Sequence, residues 1–97
     1  MLTDKLYVIQ SRDDSMGVVK LSDAEHPVFK AHFPSQAILP GFMHFEIVSQ
    51  LFDLEITTIK KAKFLKPALP EHVLIYKKDN NKFRVLCEEE EIASFSL

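Results

Sequence analysis

Glycine is scarce in this chain. Its 97 residues include two, Gly17 and Gly41, so each position carries information. Cysteine is scarcer still: Cys87 stands alone, which excludes an internal disulfide and makes a reducing cytoplasm the expected compartment. No apolar run reaches the roughly 18 residues that a membrane-spanning helix needs. The opening residues Met1-Leu2-Thr3-Asp4-Lys5-Leu6 have no charged segment followed by an apolar stretch, so no signal peptide and no membrane insertion are expected. Neither charge sign dominates, with 12 basic against 14 acidic residues and a formal net charge of −2. A nucleic-acid binder would carry a basic excess, and this balance gives no reason to expect a membrane surface. The four histidines lack metal-ligand spacing, and Ser49 sits in no nucleophile elbow. Nothing near Cys87 in sequence would lower its pKa, so it is expected to face the core of a strand and not to act as a nucleophile.

Apolar residues make up 46% of the chain, enough for one packed domain over residues 1–97. A chain this short buries only roughly two-thirds of its unfolded surface, so burial at an oligomer interface would help it. Leu6 to Ile9 and Met16 to Leu21 are β-rich runs around Arg12-Asp13-Asp14-Ser15, and they predict a hairpin. Residues 22–40 hold Pro27, Pro34 and Pro40 and are expected to be irregular. From Gly41 to Leu54 the period becomes helical. Met43, Phe45, Ile47, Val48, Leu51, Phe52 and Leu54 cover a wide apolar arc, while Glu46, Ser49, Gln50 and Asp53 form one narrow polar seam. A helix apolar over most of its circumference is a buried helix. Further strands are expected at Thr57–Leu65, Val73–Lys78, Lys82–Cys87 and Glu91–Leu97, with a hairpin turn at Asp79-Asn80-Asn81. The order predicts an α+β fold, an antiparallel sheet wrapped around one central helix.

Residues 26–50 hold the chemistry. His32 lies in a proline-flanked loop, Pro40-Gly41 opens the helix, and Glu46 and Gln50 stand one turn apart on the polar seam. A histidine titrating near neutrality can take a proton, and a carboxyl held in apolar surroundings can stay protonated and give one. The N–H groups at a helix start lack internal partners and can face a substrate oxygen, and Gly41 lets that backbone come close. Gln50 can orient the Glu46 carboxyl across one turn. Taken alone, these residues are equally compatible with a packing histidine and a solvated glutamate. His44 falls inside the apolar arc, either as a hydrogen-bonded packing residue or as a polar group lining a substrate tunnel. His26 and His72 have no evident partners.

The stretch His32-Phe33-Pro34, then Leu39-Pro40-Gly41, then Glu46 and Gln50, resembles the 3-hydroxyacyl-acyl-carrier-protein dehydratases of the FabZ/FabA type. Fourteen positions separate His32 from Glu46, the family's spacing. A later stretch, Ala62-Lys63-Phe64-Leu65-Lys66-Pro67-Ala68-Leu69-Pro70, resembles a second motif of the same family, and together they span about residues 18 to 76. Ala31, Ser35, Ala37, Ile47, Ser49 and Glu71 depart from the pattern by replacing mostly small residues, without removing a group that does chemistry.

The resemblance implies a hotdog fold and a homodimer with active sites at the subunit interface, where His32 of one chain faces Glu46 of the other. It implies dehydration of a 3-hydroxyacyl thioester to the trans-2-enoyl thioester. His32 takes the C2 proton, the Gly41 N–H holds the carbonyl, Glu46 protonates the departing hydroxyl, and Gln50 positions Glu46. Phe33, Pro40, Phe42 and His44 are the tunnel-lining candidates. The substrate would arrive on the phosphopantetheine of acyl carrier protein, an acidic partner for which Lys60, Lys61, Lys63 and Lys66 are docking candidates. No metal or redox cofactor is implied. Two rivals remain: a hotdog thioesterase, which generally lacks the His-Phe-Pro loop, and a non-catalytic hotdog subunit that binds acyl thioesters or supports a partner.

Overall fold

The structure, a computed structural model, describes residues 5–32 and 36–97, with the side chains of residues 31 and 32 outside the description. Six strands form one sheet: β1 (Tyr7–Arg12), β2 (Met16–Leu21), β3 (Lys61–Phe64), β4 (Val73–Asp79), β5 (Lys82–Cys87) and β6 (Glu90–Ser96). Their order is β1-β2-β4-β5-β6-β3, and every pairing is antiparallel. Two helices, α1 (Pro27–His32) and α2 (Met43–Leu51), lie between β2 and β3 in the chain.

The alternation along the strands gives the sheet one buried face. Val19 and Leu21 of β2, Leu74 and Tyr76 of β4, Phe83 and Val85 of β5, and Phe95 of β6 point into the core. From α2 they meet Met43, His44, Ile47, Val48 and Leu51, all buried. Gly17 lets the end of α2 press on the sheet, because a Cβ there would stand 2.8 Å from both Leu51 methyls. Phe83 stacks on Phe95, which receives Phe45 edge-on at 4.8 Å. These contacts fill the space between helix and sheet, where aromatic pairs prefer offset or edge geometry.

Four expected boundaries change by more than one residue. The first strand, expected over Leu6–Ile9, runs Tyr7–Arg12 because its pairing with β2 continues to Arg12 opposite Gly17. Residues 22–40 are not wholly irregular, because Pro27 starts α1 instead of breaking a helix. Proline suits the first helical position, where its missing N–H has no partner to lose. His26 Nδ1 accepts from the Val28 N–H at 3.1 Å, so the histidine caps the turn that Val28 and Phe29 bury. The central helix covers Met43–Leu51 and not Gly41–Leu54. Its start is a run of tighter i→i−3 bonds, from Met43 to Pro40 and His44 to Gly41, and its end is fixed by Asp53 in the left-handed region at φ 52°. The strand expected from Thr57 shrinks to Lys61–Phe64. Lys61 pairs with Ser96, the last residue of β6, so no ladder continues back toward Thr57.

Two-residue turns close the remaining hairpins. Asn80 adopts φ 55° between β4 and β5, as asparagine tolerates. Glu88 and Glu89 adopt φ 52° and 66° between Cys87 and Glu90. Positive φ at both central residues is the geometry that matches strand twist in a tight hairpin. Cys87 is buried, as expected, and burial raises its thiol pKa.

Candidate functional site

The loop before α2 is pinned to the sheet end by a bond from the Leu39 N–H to the Ala68 carbonyl, 2.8 Å. That bond sets Pro40 and Gly41 over β3. A Cβ on Gly41 would stand 3.0 Å from the Phe64 ring, so only glycine lets the backbone and the ring approach this closely without a shift. Among the described residues nothing accepts the Gly41 N–H. A cleft of about 410 Å³ opens beside it, lined among others by Leu39, Phe42, His44, Phe64 and Ala68. The site thus combines an unclaimed backbone donor with largely apolar walls, the arrangement that can hold a carbonyl oxygen gaining charge.

His44 forms the inner wall. It is 2% exposed, and its Nδ1 lies 2.7 Å from the Tyr76 hydroxyl. Its ring lies nearly parallel to that of Phe64, 20° between planes and 6.3 Å between centroids. Desolvation pushes its pKa down to about 4, so the imidazole is neutral at ordinary pH. His44 is thus a hydrogen-bonded packing residue whose ring also lines the cleft.

The polar seam of α2 faces outward. Glu46 and Gln50 are exposed, so the described residues do not supply the apolar surroundings expected for the carboxyl. Tyr7, not a candidate on sequence grounds, joins them. Its hydroxyl donates to Gln50 Oε1, and its pKa is raised by partial burial and then by the nearby Glu46 charge. The signal for Tyr7 lies in β1 register and is invisible before the hairpin is paired. Gln50 is thus engaged from β1, and Glu46 makes no hydrogen bond or ion pair among the described residues.

His32 is the last residue of α1; its side chain, and all of Phe33, lie outside the described residues. Pro40 is buried behind the cleft, and Phe42 is 49% exposed at its rim. Lys60, Lys61 and Lys63 are exposed along the β3 edge, whereas Lys66 is held by Glu90 at 2.7 Å. His72, like His26, proves to be a backbone acceptor: its Nδ1 takes the Leu69 N–H at 3.2 Å. No helix among the described residues is long and apolar enough to cross a membrane.

A six-stranded antiparallel sheet packed on one central helix defines a hotdog-fold protein. Comparison with known proteins narrows this. The model of the ApeI-like family, described as ApeI dehydratase, matches residues 8–96, and the chain belongs to that family. Among curated relatives, the 3-hydroxyacyl-[acyl-carrier-protein] dehydratase FabZ of Bartonella quintana (strain Toulouse) is 26% identical over 109 residues, covering 93% of this chain and 70% of the relative. Among solved structures, the dehydratase heterocomplex ApeI:P from Xenorhabdus doucetiae superposes with a TM-score of 0.69 at 20% identity, over 92% of this chain and 93% of that one. The PaaI protein of E. coli, from the phenylacetic acid degradation operon, gives 0.61 at 14% identity, over 97% and 82%. These structural likenesses confirm the hotdog fold.

Proposed function

We propose that this protein removes water from 3-hydroxyacyl groups held as thioesters on acyl carrier protein, releasing trans-2-enoyl thioesters. The observation that carries this reading is the Gly41 N–H, unclaimed among the described residues, beside a mostly apolar cleft just before α2 and five positions before Glu46. The thioester carbonyl accepts from Gly41 N–H, which makes the C2 proton more acidic and holds the charge that develops as it leaves. His32 takes that proton. Glu46 gives its proton to the C3 hydroxyl, the C3–O bond breaks, and the double bond forms between C2 and C3 as water departs. Gln50, steadied by Tyr7, keeps the α2 seam in place. The elimination is redox-neutral overall and calls for no metal or redox cofactor.

The outward position of Glu46 supports a homodimer. A second chain laid over the seam would cover the carboxyl and bring its own His32 to it. Phe42, Phe64 and Leu65, exposed at 49%, 50% and 53%, flank the cleft and would be covered by the same contact. The likeness to a chain of the ApeI:P heterocomplex favours a second reading, in which a different hotdog subunit supplies the cover.

The test follows enoyl absorbance with a 3-hydroxyacyl thioester on carrier protein and on a small-molecule arm. Wild-type protein should form the enoyl product, and His32→Ala and Glu46→Gln should each lose about 10²-fold or more. Free thiol without enoyl product would mean thioester hydrolysis and would sink this assignment of His32. Silence in both channels from a folded homodimer would move the function to the heterocomplex.

A further inference from the structure

Helix α2 buries one polar side chain that the proposed dehydration does not use. His44 sits between Met43 and Ile47 on the core side of the helix, where an aliphatic residue would pack at no polar cost. Its partner, Tyr76, is fully buried on β4, and among the described residues its hydroxyl meets no other polar group at hydrogen-bond distance.

That isolation fixes the direction of the bond. A buried phenol that donates to nothing leaves an unsatisfied O–H. Donating to Nδ1 satisfies it and requires Nδ1 to be bare. The neutral ring then carries its proton on Nε2. Among the described residues nothing accepts from Nε2, and the ring lines the cleft, with Leu39, Phe42, Phe64 and Ala68 as its apolar surroundings. Because the ring stays neutral down to about pH 4, it offers a donor and no charge.

We propose that His44 Nε2–H is a hydrogen-bond donor set into the acyl-binding cleft, selecting acyl thioesters that carry an uncharged oxygen acceptor on the chain beyond the reacting carbons over plain alkyl chains of equal length. The inference rests on the dehydratase reading for its substrate class. The selection works by omission. Water can satisfy the donor in the empty cleft. A plain chain displaces that water and leaves the donor bare, whereas an oxygen at the right position replaces it. Tyr76 acts as a positioning residue, since it holds the tautomer that makes His44 a donor.

The probes are 3-hydroxyoctanoyl thioesters on a small-molecule arm, compared with analogues in which one methylene beyond C4 is replaced by oxygen, walked along the chain. One oxygen position should raise kcat/KM about tenfold or more over the parent. Tyr76→Phe should reduce that preference, and His44→Phe should reverse it in favour of the alkyl chain. Histidine ¹⁵N spectra at pH 7 supply a readout independent of turnover. His44 should carry its proton on Nε2, and in Glu46→Gln the favoured oxygen analogue should shift that nitrogen while the alkyl thioester does not. A proton on Nδ1, or no Nε2 response to any oxygen position, overturns the proposal. An Nε2 shift with no enoyl formed by the wild type would keep the donor site and reject the dehydration.

Discussion

Protonating His44 in the folded chain means placing a charge among Met43, Tyr76 and Phe64. The unfolded chain takes the same proton near pH 6.5, the folded chain only near 4. Between those values the unfolded state binds more protons, so stability falls as the pH falls through that window. The loss should reach about 2 kcal/mol between pH 7.5 and 5, above the range where most carboxylates contribute. Urea unfolding at the two pH values measures it, and His44→Gln, which takes up no proton, should show a smaller drop. The sequence placed His44 on the apolar arc of α2, but its partner lies 32 positions away on β4, so the hydrogen bond could not be read from spacing. Glu46 shows the opposite case. Its place on the polar seam was readable, but its exposure was not, because a helix wheel does not tell which side of the seam the sheet leaves open.

Strand pairing tells the same story one level up. The Met16–Leu21 and Lys82–Cys87 strands were readable to the residue, because alternation and flanking turns mark both ends. The Thr57–Leu65 strand was overread, since its β-rich composition cannot reveal where its partner stops. The β5–β6 hairpin offers a test. Glu88 and Glu89 both hold left-handed backbone, which costs roughly 1–2 kcal/mol for an ordinary L-residue. Glu89→Gly should remove that cost, offset in part by the freedom glycine gains when unfolded. A net gain of up to about 1 kcal/mol is expected in thermal or urea unfolding, with the enoyl-forming activity unchanged.

For the molecule as a whole, the sheet edges differ in character. β1 exposes Val8 at 67% and Ile9 at 39%, while the β3 edge exposes Lys60, Lys61 and Lys63. If the β3 edge receives an acidic carrier protein, changing all three lysines to glutamate should lower kcat/KM for carrier-bound substrate about tenfold or more, and raising salt should do the same to the wild type. The rate on a small-molecule thioester should stay as it was. Equal losses on both substrates would instead mean that the edge holds the fold and not the carrier.

The strand order also sets a timetable. Among the described residues β3 is hydrogen-bonded only to β6, so Phe64 and the cleft wall it forms depend on Ala93 to Ser96, which are themselves paired with β5. A chain emerging from the ribosome can pair β1, β2, β4 and β5 by local hairpins and one longer closure, while the cleft wall on β3 waits for β6. A nascent chain caught before that step would have much of its sheet and no Phe64 wall standing against Gly41.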